Sequence, residues 1–228
     1  MAHTVYVTGT DTGAGKSIAS AALLHAYAAR GVCAAGMKPV ASGCEVTSQG
    51  LRNEDALLLQ VASGVSAPYG VVNPYAFEPP VAPEFAAREA GVEVALAPIL
   101  QAHAQLAGHP LVQVVVVEGV GGWMAPLSAT LDQCDVARAV GADVVLVIGL
   151  RLGCISHARL TARAIQADGF RLAGWIGSTL DPDMPRLAEN IDALRARIDA
   201  PCLGVLPYRA DADPRAMQAA LALPAPTG

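Results

Sequence analysis

A chain of 228 residues has room for one domain of ordinary size. Its 15 basic against 20 acidic residues leave a net charge of −5, which argues against a nucleic-acid or anionic-membrane surface as the main partner. Hydrophobic residues make up 53% and aromatic ones 4%, so the apolar content is mostly small and aliphatic, enough for a core and incompatible with intrinsic disorder. The 22 glycines and 16 prolines follow no fixed period, which removes collagen-like and low-complexity arrays. The longest apolar runs, near Leu111–Val117 and Val144–Leu150, have strand length and fall well short of the roughly 18 residues a membrane span needs. The opening run MAHTVYVTGT passes straight into a strand-like pattern, without the basic flank and long apolar region of a signal peptide. Cys33, Cys44, Cys134, Cys154 and Cys202 are odd in number, scattered and free of any C-x-x-C pair, so free thiols in a reducing cytoplasm are expected.

Taken in chain order, β-type runs alternate with helical patterns. A strand is expected at Thr4–Thr8, then a glycine-rich loop and an alanine-rich helix from about Lys16 to Arg30. A second strand, Val32–Met37, ends at Lys38-Pro39; a polar loop follows, then a helix over Asn53–Ser63. Pro68–Pro83, rich in proline and aromatics, is expected to wrap the surface, with helices near Pro83–Ala90 and Glu93–Ala107. Leu111–Val117 (LVQVVVV) is a continuous apolar run, the mark of a parallel strand covered on both faces. Asp143–Leu150 repeats that character after a helix around Leu131–Val140. A helix at Ser156–Ala167, a strand at Leu172–Gly177, a helix near Met184–Ile198 and a short strand at Cys202–Val205 complete the series. Such alternation implies βαβ units and a doubly wound, mostly parallel α/β sheet with helices on both faces. No linker and no repeat interrupts residues 1–228, which read as one domain, and the run GTDTGAGKS at Gly9–Ser17 gives that domain the P-loop NTPase type.

The chemistry begins at Gly9-Thr10-Asp11-Thr12-Gly13-Ala14-Gly15-Lys16-Ser17, set between a buried strand and a helix. Glycines let successive backbone N–H groups turn inward as an anion nest, and the helix N-terminus adds positive potential. Lys16 can bridge β- and γ-phosphates, and the Ser17 hydroxyl can ligate Mg²⁺. The spacing differs from G-x-x-x-x-G-K-[ST] by one position, because the first glycine is Gly9 and Thr10 stands where the motif has it. Nucleoside triphosphate binding is the expectation, but this loop serves kinases, switches, motors and ligases alike.

Other charged groups fall at strand ends, the edge where doubly wound sheets bind ligands. Glu118 opens Glu118-Gly119-Val120-Gly121-Gly122 after four valines and could face the same Mg²⁺ as Ser17. Pro39 biases Lys38 toward an extended conformation at the strand mouth, where a second ammonium would stabilise charge on a transferring phosphoryl group. A strand-end lysine alone is more often simply solvated, and Asp55 near a helix start could serve only the helix dipole. The five histidines (His3, His25, His103, His109, His157) form no metal constellation, and no G-x-S-x-G elbow supports a nucleophilic hydrolase.

Taken together, VTGTDTGAGKS, GMKPVASG, GLRNEDALLLQ, VNPYAFEPPVAP, VEGVGGWMAPLS, LRLGCISHARLT and LAGWIG resemble the dethiobiotin synthetase family, in family order over most of residues 5–177. The resemblance implies an ATP-dependent, Mg²⁺-dependent cyclo-ligase. In that reaction one amine of 7,8-diaminononanoate captures CO₂ as a carbamate, and the carbamate attacks the γ-phosphate to give a carbamic–phosphoric anhydride. The second amine then closes the ureido ring, leaving ADP and phosphate. By resemblance Lys38 is the catalytic lysine beside Lys16 and Thr12. Thr12, Ser42 and Gly121 would contact the diamine or its carbamate, and Ser17, Asp55 and Glu118 would hold the metal. Nucleotide contacts would run over Gly13, Ala14, Gly15, Lys16, Ser17 and Ile18, then Asp55 and Glu118, Gly119, Val120 and Gly121. Ser178, Thr179, Pro207, Tyr208 and Arg209 would complete them. The family forms homodimers in which the neighbouring subunit completes the substrate pocket, implying a role for Leu152, Gly153 and Cys154. Three positions depart from the family: Gly13 where Glu is frequent, Ser156 where Asn is common, and Ser178 where an adenine-reading Asn is often found. Serine has fewer bidentate options than asparagine, so looser base discrimination is expected. The rival reading is a P-loop switch or partitioning-type ATPase. Such proteins often carry an extra lysine early in the loop, where Thr10 and Asp11 stand here. An amide ligase of related fold usually needs a glutaminase domain, for which 228 residues leave no room.

Overall fold

The computed structural model describes residues 2–208, 211 and 213–225. From the N-terminus its elements are β1 (His3–Gly9), α1 (Lys16–Ala28), β2 (Ala34–Met37), β3 (Val40–Ala41), β4 (Glu45–Thr47), β5 (Gly50–Arg52), α2 (Glu54–Ala62), α3 (Tyr69–Val72) and β6 (Tyr75–Ala76). They continue with α4 (Pro83–Glu89), α5 (Leu96–Ala107), β7 (Val114–Gly122), α6 (Gln133–Ala139), β8 (Asp143–Leu150), α7 (Cys154–Ala167), β9 (Leu172–Thr179), α8 (Leu187–Arg195), β10 (Cys202–Leu206) and α9 (Pro214–Met217). Six strands form one sheet in the order β10-β9-β8-β1-β7-β2, every pairing parallel.

Alternation along each strand builds two cores, because successive side chains leave opposite faces. Tyr6, Val115, Val117, Val144, Leu146 and Ile148 point to one face, where α5, α6, α7 and α8 supply Ile99, Val136, Ile165 and Leu194. Val5, Val7, Val114, Val116, Val145 and Val147 point to the other, covered by α1 with Ala19, Leu23 and Tyr27, by α2 with Leu59, and by Met217 of α9. Each such valine or leucine contributes about 1.5–3 kcal/mol by leaving water, and small alanines on α1 let that helix lie close to the sheet. Since all strands run the same way, the C-terminal ends of β1, β2, β7 and β8 open on one edge. β1 lies between β8 and β7, the crevice position at which doubly wound sheets bind ligands.

Several sequence expectations shift. The strand expected from Leu111 begins at Val114 and runs on to Gly122; Leu111 itself is exposed. The polar loop before Asn53 is a two-stranded hairpin pairing Glu45 with Arg52 and Thr47 with Gly50. Both strands are largely solvated, so no apolar alternation announced them. The segment expected to wrap the surface instead turns inward, burying Val72, Asn73 and Phe77 and pairing β6 with β3. α7 begins at Cys154 behind a left-handed Gly153, and α8 begins only at Leu187 behind a left-handed Arg186.

Candidate active site

The glycine-rich loop leaves β1 and enters α1 through Gly15, whose left-handed φ of 87° suits glycine. A Cβ there would lie 2.2 Å from the Ser178 hydroxyl, so this glycine also lets β9 close against the loop. The loop forms one wall of a cavity of about 460 Å³ lined by Thr12, Gly13, Gly15, Lys16, Ser17, Ile18, Lys38, Ser42, Asp55, Val120 and Gly121. Glu54 and Leu58 of α2 also line it, and sequence reasoning had named neither.

Both lysines of the chain stand here, for the sequence contains no lysine besides Lys16 and Lys38. Lys38 is 3% exposed. Its ammonium donates to Glu118 Oε1 at 2.5 Å, Asp55 Oδ2 at 3.0 Å and the Gly119 carbonyl at 3.3 Å. Burial works against its charge, but the Glu118 and Asp55 carboxylates outweigh burial and hold its pKa above the ordinary lysine value. Burial likewise disfavours the Asp55 anion, yet Lys38, the Ser17 hydroxyl and Lys16 carry its pKa below the ordinary carboxylate value. Ser17 Oγ donates to the same Glu118 oxygen at 2.9 Å. Lys16 has no such carboxylate contact; its ammonium donates to the Asp11 carbonyl at 3.0 Å. Burial first, then repulsion from Lys38, brings its pKa down to about 8.

How the site is held emerges only from contacts between distant segments. Asn73, buried behind α3, donates to the Lys38 carbonyl at 2.7 Å, while the Lys38 N–H donates to the Val72 carbonyl at 2.8 Å. That inward-turning segment therefore fixes the strand mouth. Gln133, at the start of α6, donates to the Val120 carbonyl at 2.5 Å and accepts from the Tyr6 hydroxyl, fastening the turn after Glu118. Arg151, at the end of β8, donates to Asp11 Oδ2 at 2.6 Å and ties the loop to the neighbouring strand. Only the Asp132–Asp135 capping box preceding α6 left a local signature.

Ser17, Asp55 and Glu118 form a hard oxygen set suited to Mg²⁺ with phosphate oxygens and water. Glu118 is fully buried and, among the described residues, its Oε2 finds no hydrogen-bond partner, the kind of orphan a cation would satisfy. Among the described residues, no three or more His, Cys, Asp or Glu side chains come together as a metal site. Two carboxylates and a hydroxyl therefore fit a cation shared with a phosphate ligand better than a cage built only from protein.

Beside the main cavity, a hollow of about 170 Å³ is lined by Gly15, Ile18, Ser178, Thr179, Leu180, Leu206, Pro207, Tyr208 and Met217. It holds no side-chain amide among these residues. Ser178, Thr179, Pro207 and Tyr208 thus line one hollow behind the loop, while Arg209 lies outside the described residues. Ala14 is buried under the loop. Leu152 and Gly153 do not reach the cavity; they line a separate depression with Ser156, Arg159, Leu160 and Arg163. Cys154 turns its side chain into the core, and its N–H donates to the Arg151 carbonyl.

The profile of a family described as an AAA domain matches residues 3–216. Among solved structures, the MinC:MinD cell division protein complex of Aquifex aeolicus matches with a TM-score of 0.60 at 13% identity, over 96% of this chain and 92% of that one. Chloroplast FtsY of Physcomitrella patens matches with a TM-score of 0.54 at 17% identity, over 96% of this chain and 65% of that one. The chain therefore spans just under two thirds of that FtsY chain. At such identities these matches speak to the fold alone. Curated relatives are far nearer. A protein of Xanthomonas oryzae pv. oryzae named ATP-dependent dethiobiotin synthetase BioD is 60% identical over 96% of this chain and 97% of its own. One of Xylella fastidiosa with the same name is 56% identical over 89% of both chains. With that identity along nearly the whole length, and a phosphate loop facing two buried ammonium groups, the chain belongs to the ATP-dependent dethiobiotin synthetase family.

Proposed function

We infer that this protein carries out the family's reaction, the ATP-dependent closure of a ureido ring on 7,8-diaminononanoate with CO₂. The observation that carries the reading is the placement of Lys16 and Lys38 in one cavity beside the glycine-rich loop. A carbamate and a triphosphate are both anions, and without nearby cations the nucleophile and electrophile would repel. The loop N–H groups and the α1 N-terminus bind phosphates. Lys16 turns from the Asp11 carbonyl toward the β- and γ-phosphates, and Lys38 stabilises the carbamate and the charge that develops as it meets phosphorus. Thr12, Ser42 and Gly121 orient the diamine so that the second amine reaches the activated carbonyl. Ser17, Asp55 and Glu118 would hold Mg²⁺, which when bound would supply charge neutralisation at the phosphoryl oxygens. The base occupies the hollow behind Gly15 formed with Ser178, Thr179, Pro207 and Tyr208.

The reading includes a single domain, a cytoplasmic homodimer and small-molecule substrates. Leu152 is 95% exposed and Leu160 63%, an apolar pair beside Arg159 and Arg163 that suits burial against a second copy. Among the described residues, no helix is long and apolar enough to cross a membrane. Incubation with diaminononanoate, bicarbonate, Mg²⁺ and each common triphosphate, with mass detection of dethiobiotin and phosphate, tests the proposal. Dethiobiotin in stoichiometric amount with phosphate is expected; phosphate released without it would favour a switch-type ATPase.

A further inference from the structure

Lys38 and the cation ligands are not merely neighbours. The Lys38 ammonium touches one oxygen of Asp55 and one of Glu118, and that Glu118 oxygen also accepts from Ser17. Ser17, Asp55 and Glu118 are the same three groups read above as the Mg²⁺ donors, and the inference rests on that reading. A Mg²⁺ ion binds oxygen at about 2.1 Å, whereas an ammonium hydrogen-bonds at about 2.8 Å. Two cations bonded to the same pair of oxygens would stand within about 4 Å of each other, beside the buried Lys38 and Glu118 side chains, where their repulsion is screened less than in bulk water.

We propose that the Lys38 ammonium and the divalent cation compete for Asp55 and Glu118, so that arrival of the cation with nucleotide turns Lys38 out of its ion pairs and into the reactant cavity. Lys38 then has two successive tasks. Before the metal arrives it neutralises a fully buried carboxylate that would otherwise be costly to keep charged. Afterwards it is an unpaired ammonium, available to the carbamate only when the phosphoryl donor is in place. The hold is suited to exchange: Lys38 engages one oxygen of each carboxylate, and among the described residues Glu118 Oε2 has no hydrogen-bond partner. Lys16 serves as an internal comparison, because it carries the same charge in the same cavity without a hydrogen bond to either carboxylate.

The full chain can be tested without nucleotide by measuring Mn²⁺ binding through its electron paramagnetic resonance signal. Lys38→Met should tighten Mn²⁺ binding at least ten-fold, and Lys16→Met by no more than about two-fold. A Lys38→Met effect less than five times that of Lys16→Met, or no measurable binding by either variant, would overturn the competition. A second measurement needs no substitution. With only two lysines in the sequence, side-chain ¹⁵N labelling yields two ammonium resonances. The protected one belonging to Lys38 should shift and lose protection when Mg²⁺ and a non-hydrolysable triphosphate are added together. It should not do so with the triphosphate alone, and an unmoved Lys38 resonance would show that the ion pairs persist beside the metal. The product assay on the same preparation separates the two readings. Dethiobiotin formation without these effects defeats the competition alone, whereas absent product defeats the assigned reaction.

Discussion

Lys16 and Lys38 carry equal charge in one cavity, yet their surroundings assign them different costs when removed. Lys16 makes one hydrogen bond to a carbonyl and sits with its pKa lowered, so Lys16→Ala should abolish product formation while thermal unfolding stays near that of the parent. Lys38→Ala should abolish product too, but it strands Glu118, which is fully buried, at a cost of about 3–5 kcal/mol. Comparing turnover with melting temperature checks both; comparable stability loss in the two variants would contradict the ion-pair geometry. Ser178 offers a second expectation. Its hydroxyl packs against Gly15, and the hollow it lines has no side-chain amide to read a base edge. Turnover with the four common ribonucleoside triphosphates should therefore differ by less than about ten-fold, since the loss of one or two base hydrogen bonds is worth about 1–3 kcal/mol. Strict use of ATP would refute it. The residues proposed to meet phosphate or metal were legible in the sequence because each ends a strand or opens a helix, where type and position coincide. Asn73, Gln133 and Tyr6 were not, because their roles depend on which distant carbonyl they reach.

At the level of elements, α2 is what brings Asp55 to Lys38, and Gly36 sets how near α2 can come. A Cβ on Gly36 would lie 2.9 Å from both Leu24 Cδ1 and Leu59 Cβ. Gly36→Ala should cost about 1–3 kcal/mol through overpacking and raise the Mg²⁺ concentration needed for half-maximal activity. Denaturation midpoints and a metal titration measure the two effects, and an unchanged titration would show that α2 does not set the site. α5 supplies a pH response far from the cavity. His103 shares a hydrogen bond with Thr4 Oγ1 at 3.0 Å, and burial holds its pKa below the ordinary 6.5. The unfolded chain therefore takes up a proton more readily than the native one, and stability should fall as pH drops through 6.5. His103→Gln should lessen the fall in melting temperature between pH 7.5 and 5.5, leaving the part due to His25, whose pKa is likewise lowered. A fall as steep as in the parent chain would count against it. The long elements were legible because buried parallel strands carry unbroken valine runs. The hairpin β4–β5 and the inward turn at α3 were not, since two- and three-residue strands leave no periodicity to detect.

For the whole molecule, the proposed homodimer would cover the exposed apolar pair Leu152 and Leu160 on one outer face. Light scattering should give twice the mass of one chain, and Leu160→Asp should shift it toward one; an unchanged mass in that variant would place the contact elsewhere. The fold class followed from strand–helix alternation alone, whereas the strand order and the association of Asp11 with Arg151, 140 positions away, arise only when the sheet closes. The confinement of both lysines to the cavity has a further practical outcome. A protease that cuts only after lysine finds one readily cleaved bond, Lys16–Ser17, since Lys38 precedes proline and such bonds resist cleavage. That bond is the first within α1, directly after the glycine-rich loop, and its lysine is 6% exposed. Digestion would then clock how often this corner springs open, and a tightly held triphosphate should slow the clock.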